Sequence, residues 1–129
     1  MRALRSRAVL VAIVLLAAGW TLGCGQQAKL PPAEVRDGNP AHGAQLITQY
    51  GCSTCHTIPG IRGADGLVGP PLDHMGRRSY IAGVLVNSGP NLQKWIRDPQ
   101  AVVPGNAMPD LNVTPEDARD IAAYLYTLG

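Results

Sequence analysis

The sequence predicts a mainly α domain, with three to five short helices and long loops wrapped around a centre that its own side chains do not supply. Three observations lead there. Two segments carry a cap residue followed by proline at the first helical position, and no alternating strand pattern of useful length occurs. Gly 15 and Pro 11 make up about a fifth of the 129 residues, while aromatics are 5% and Phe is 0. Because Phe, Tyr and Trp each bring roughly 150–250 Å² of burial, a chain this poor in them lacks the bulk for an ordinary core. Disorder is excluded by 46% hydrophobic against 16% charged content, which are globular values. A formal charge of +2 with both signs scattered lacks the clustered basic face of a nucleic-acid module, so no nucleic-acid partner is expected.

The elements follow in order from the N-terminus. Arg2, Arg5 and Arg7 precede the uncharged apolar run Ala8 to Leu22, which is the pattern of an export signal. Residues 1–23 are therefore read as a signal of lipoprotein type. Thr21-Leu22-Gly23-Cys24 resembles the bacterial lipobox, with Thr21 standing where Leu is preferred, and Cys24 is the expected lipid attachment site. Two other fates fit the same residues. The uncharged stretch from Ala8 to Ala28 is about long enough to remain as an anchor across a ~30 Å bilayer, and Ala17-Ala18-Gly19 offers ordinary signal peptidase a site that would release the protein. The first two fates tether the domain to the extracytoplasmic face of a membrane. Without residues 1–23 the chain carries 8 Lys plus Arg against 9 Asp plus Glu, so its basicity belongs to the signal. Residues 24–37, with Pro31-Pro32, read as a linker, and residues 38–129 as the folded domain.

Within the domain, Asn39 caps a helix with Pro40 at its first position, and that helix ends at Gly51. Directly after it comes Cys52-Ser53-Thr54-Cys55-His56, the C-x-x-C-H signature of covalent haem attachment. Two thiols three positions apart reach both vinyl groups along one side of a porphyrin, and His56 is then placed to meet the iron from one face. The other readings of these residues are weaker. A thioredoxin-like pair would open a helix after a βα unit, a structural zinc site needs four ligands with a second close pair, and a disulfide over so short a loop constrains the unfolded chain little. One haem c is the cofactor the motif calls for.

From Thr57 to Arg78 the chain has five glycines, three prolines and no periodicity, a length that wrapping a flat cofactor accounts for. Tyr80 to Val86 is a short apolar segment of undetermined type, and Leu92 to Arg97 reads as a short helix stopped before Asp98-Pro99. Thr114-Pro115-Glu116-Asp117 starts a terminal helix with a cap, a proline and an acid at N3, and Ile121, Tyr124, Leu125 and Leu128 mark its buried stripe. Ahead of it, Val103 to Asp110 presents Met108 in a stiff loop, 52 residues after His56.

From about Asp37 to Gly129 the sequence resembles the class I cytochromes c. The resemblance rests on Cys52-Ser53-Thr54-Cys55-His56, Gly69-Pro70-Pro71-Leu72, Trp95-Ile96-Arg97-Asp98-Pro99, Met108-Pro109 and the paired terminal helices. It implies a cytochrome c fold in which His56 and Met108 are the axial iron ligands and the Pro70 carbonyl accepts the Nδ1–H of His56. It further implies that Leu72 and Trp95 line the haem and that Gly43 and Tyr124 lie where the first and last helices cross; the Trp95 indole is available either to donate to a propionate or simply to pack. Met75, His74 and His42 are rival sixth ligands, and Arg77 or Arg78 is available to offset propionate charge. Within the family the chain is most similar to small membrane-associated, oxidase-associated cytochromes of bacterial respiratory chains. The expected function is one-electron transfer, not stand-alone catalysis, with a quinol-oxidising complex and a terminal oxidase as partners and no small-molecule substrate. Two alternatives remain open: a ligand sensor or small peroxidase with an open sixth site, and an accessory or assembly subunit of an oxidase.

Overall fold

The structure, a computed structural model, describes residues 32–129. The proposed export segment and Cys24 lie outside the described residues. Among the described residues there are four helices: α1 (Pro40–Gln49), α2 (Gly89–Arg97), α3 (Pro99–Val102) and α4 (Pro115–Thr127). Single 3₁₀ turns occur at Ala33–Val35, Cys52–Thr54 and Met75–Arg77. A minimal antiparallel hairpin joins β1 (Tyr80–Ile81) to β2 (Leu85–Val86), pairing Tyr80 with Val86 and Ile81 with Leu85.

The helix starts follow from side chains that satisfy otherwise orphaned amides. The Asn39 side chain accepts from the amides of Ala41 and His42 and opens α1, Thr114 accepts from Asp117 and opens α4, and Ser88 accepts from Asn91 and opens α2. The Ser88 cap, with Pro90 in the first turn, starts α2 at Gly89, three residues before the expected Leu92. Asp98 caps the unanticipated α3 through the Ala101 amide. The acid at N3 of α4 has another use than the expected capping box: the Asp117 carboxylate accepts from the Tyr50 hydroxyl at 2.6 Å.

α4 is the central element, packing on α1, α2 and the 3₁₀ turn at Met75–Arg77. It crosses α1 at Gly43, where a Cβ would collide with the main chain of Asp120. Leu46 and Ile47 of α1, Leu92 and Ile96 of α2, and Ile121 and Leu125 of α4 are buried together, each worth roughly 1.5–3 kcal/mol of apolar burial. Two sequence expectations are corrected. The buried tyrosine of α4 is Tyr126, whereas Tyr124 and Leu128 are only partly covered; Tyr124 lies one turn beyond the crossing and donates its hydroxyl to the Pro59 carbonyl. The packed domain also reaches back past residue 38, because Val35 is 1% exposed within the core, so the end of the presumed linker belongs to the fold.

Candidate haem site

The Cys52–Thr54 turn is set by the residue before it. Gly51 adopts φ +73, a left-handed conformation that lets the chain leave α1 at once. The following 3₁₀ turn is closed by Cys55 N–H to Cys52 O at 3.2 Å and His56 N–H to Cys52 O at 3.0 Å. Side chains three apart in such a turn eclipse one another, so both thiols sit along one edge. Burial pushes the Cys52 thiol up, opposite to the lowered thiol pKa of a reactive C-x-x-C redox pair. Among the described residues the two cysteines are not disulfide-bonded.

The Thr57–Arg78 loop closes over His56 through specific contacts. Ile58 N–H donates to Ala64 O at 3.0 Å, Gly69 N–H to Cys55 O at 2.8 Å and Leu72 N–H to Thr57 O at 2.9 Å. Gly66 lies on the Thr54 and Cys55 main chain, and Gly69 lies flat against the imidazole, where a Cβ would strike the ring. His56 Nδ1 is 2.7 Å from Pro70 O. A carbonyl can only accept, so Nδ1 carries a proton, and in the neutral ring Nε2 then keeps its lone pair, the tautomer a ligating imidazole needs.

These groups edge a cavity of about 540 Å³, within the usual range for cofactor pockets. Its walls are mainly aliphatic side chains from α1, α2 and α4, among them Ile47, Leu92, Ile96, Ile121 and Leu125. Cys52, Cys55, His56, Pro70, Leu72, Trp95 and Met108, the residues expected to surround the cofactor, all line it. Met75 also lines it and is 4% exposed. The other two rivals do not: His42 is on the outer surface, 2.8 Å from Asp120, and His74 is exposed beside Asp73. Of the two candidate arginines, Arg78 lines the cavity and the exposed Arg77 does not. Apolar walls, a pair of thiols on the rim and an imidazole with a free Nε2 fit one covalently held haem.

The Met108 loop is built by residues that the sequence reading passed over. Gln100 of α3 donates to Asn106 O and Met108 O at 3.0 and 2.8 Å, and accepts from the Gly105 amide. Asn106 bridges Pro99 O and Val103 O and accepts from Met108 N–H at 2.8 Å. The detectable signal was Asp98-Pro99, a cap followed by proline, which marks a helix start as well as a helix stop.

Residues 40–129 match the family model for cytochrome c. The chain belongs to the cytochrome c family. This cytochrome is therefore a haem c protein of mainly α fold, and electron transfer is the chemistry of its family. It is similar to cytochrome c oxidase subunit 2 of Alkalihalophilus pseudofirmus, 34% identical over 110 residues, covering 84% of this chain and 30% of that protein. Cytochrome c oxidase subunit 2 of Bacillus sp. (strain PS3) is 35% identical over 88 residues, 65% of this chain and 25% of its own length. That of Bacillus subtilis (strain 168) is 30% identical over 89 residues, 67% of this chain and 25% of its own. The cytochrome thus spans about 30% or less of the relatives it matches.

Proposed function

We propose that this cytochrome is a one-electron carrier with His56 and Met108 as axial ligands, tethered at the extracytoplasmic face of a membrane and exchanging electrons with a terminal oxidase. One observation carries the ligand assignment: the only His in the cavity wall has its Nδ1–H committed to Pro70, and the same cavity is faced by Met108 from a loop held at three residues by Gln100. Bound haem supplies a one-electron iron couple whose potential a thioether ligand raises relative to bis-His ligation. The chain's residues exclude water from it, fix the imidazole tautomer and keep the sixth position filled. With both axial positions filled by protein, no site is left for O₂ or a substrate, which separates a carrier from a sensor or peroxidase.

The oxidase as partner is supported by similarity to three oxidase subunits, and the tether by Ala8 to Leu22 and Cys24. A quinol-oxidising complex fits as donor. The ligand test compares Met108→Ala with Met75→Leu. Met108→Ala removes the sulfur-to-ferric-iron charge-transfer band and opens the reduced protein to carbon monoxide, while Met75→Leu keeps the band; the reverse pattern assigns Met75. Prompt stoichiometric carbon monoxide binding by the unaltered reduced protein would refute the carrier reading. Mass analysis of the N-terminus tests acylation at Cys24.

A further inference from the structure

We infer that Arg78 is a positioning residue for the iron-ligating imidazole, acting through the Pro70–Pro71 segment and not through its charge. The inference rests on His56 being a haem ligand. Arg78 Nη2 donates to Pro71 O and Asp73 O, at 2.5 and 2.8 Å. The same nitrogen lies 3.1 Å from an Asp73 carboxylate oxygen, and Nε donates to Asp73 O at 3.2 Å. One guanidinium therefore holds the carbonyls of residues 71 and 73, and the next carbonyl toward the N-terminus, that of Pro70, accepts from His56 Nδ1. Pro70 and Pro71 have no amide protons of their own with which to tie this segment down. Arg78 supplies the missing donors from outside.

Arg78 is itself held from the far side. Asn87 Nδ2 donates to Arg78 O and Met75 O at 2.9 and 2.7 Å, and Asn87 Oδ1 accepts from the Tyr126 hydroxyl at 2.7 Å. Hydrogen bonds thus run from Tyr126 on the buried face of α4 through Asn87 to the Arg78 main chain, and the Arg78 guanidinium in turn holds the Pro71 carbonyl, one peptide beyond the carbonyl that orients His56. The positive charge of Arg78 is already matched by Asp73. Its planar fork reaches several acceptors at once, which a lysine ammonium on a flexible stem does not reproduce.

Positioning and charge roles predict opposite signs. Loosening the His56 Nδ1–H bond makes the imidazole a poorer donor to ferric iron and raises the midpoint potential, whereas deleting a cation beside the haem favours ferric iron and lowers it. The experiment uses the haem-loaded protein with Arg78→Lys and Arg78→Gln, reading the potential by redox titration and the exchange rate of the His56 Nδ1 proton by NMR in the reduced state. Both variants are expected to exchange that proton at least about tenfold faster and to raise the potential. A potential lowered in Arg78→Gln and unchanged in Arg78→Lys, with exchange as in the unaltered protein, overturns the inference in favour of a charge role; no change in either variant also overturns it. If these variants do not load haem, Asp73→Asn at the half-exposed partner carries the test: faster exchange supports the inference and unaltered exchange overturns it. Absence of a haem-shifted His56 signal in the unaltered protein refutes the ligand assignment instead.

Discussion

Gly69 shows how little space the site leaves at the level of single atoms. Its lack of a side chain lets the backbone lie against His56 while its amide donates to Cys55 O at 2.8 Å. Gly69→Ala is expected to push the ring off the Pro70 carbonyl and to cost about 1–3 kcal/mol, the usual range for overpacking. Urea unfolding of the haem-loaded protein reads the loss, and the His56 Nδ1 proton reads its location. Gly43→Ala belongs to the same class, because the added methyl meets the Asp120 main chain. At this scale the sequence was highly informative. Cys52, Cys55 and His56 are adjacent, so their geometry is local. Gln100 and Asn106 were not legible, because amide side chains declare their partners only once loop carbonyls have been brought to them.

Among the elements, the α1–α4 crossing is tied at its edge by Asp120. Its carboxylate accepts from Asn39 N–H at 2.9 Å and meets His42 Nδ1 at 2.8 Å. Burial alone would raise the Asp120 pKa, but the Asn39 amide, the His42 imidazole and the Arg119 charge together hold it below the ordinary carboxylate value. The folded state therefore gains from ionised Asp120 above the unfolded pKa of about 3.9, and loses that gain as pH falls through the lower folded value. Asp120→Asn is expected to lower the urea midpoint of the haem-loaded protein at pH 7, and the difference is expected to shrink progressively as pH falls below the unfolded value. The short helix α3 has a different task, since Gln100 holds the Met108 loop. Gln100→Ala removes three hydrogen bonds, each worth on the order of 1 kcal/mol net. Under the Met108 assignment, carbon monoxide binding to the reduced protein should become measurably faster. Helix existence was readable from Asn39-Pro40 and Thr114-Pro115. The hairpin at Tyr80–Val86 was not, because two-residue strands are too short to show alternation.

For the whole molecule, the cavity decides stability. About 540 Å³ of space walled mainly by aliphatic side chains, taken at ~24 cal/mol per Å³, corresponds to on the order of 10 kcal/mol if left unfilled. That is comparable with the entire stability of a typical domain. The chain without haem is therefore expected to be largely unfolded, with far-UV circular dichroism of the apo form well below that of the haem-loaded protein; native-like helicity in the apo form would contradict this. At the alkaline end, burial and then the nearby Glu34 push the Tyr126 phenol up to about 12. Its neutral form is favoured in the fold, so its contribution is complete below the unfolded pKa of about 10 and is lost as pH rises toward 12. Tyr126→Phe is expected to flatten alkaline unfolding over that window, while removal of the Asn87 bond lowers stability at neutral pH by about 1 kcal/mol.

The capped helix starts, the low aromatic content, the glycines and prolines, one pentapeptide and the family resemblance these residues carry were enough to indicate the fold class, the haem and its attachment. Those properties depend on composition and on residues that are neighbours in the chain. Packing alone settled three others: Tyr126 is buried where Tyr124 is not, Arg78 reaches the cavity where Arg77 does not, and Val35 joins the core. Each depends on how distant segments meet around α4, and that meeting is set by steric fit and by the long-range hydrogen bonds of Asn87, Tyr124 and Tyr126. Periodicity reports which face of a helix is apolar, but it does not say what that face will meet.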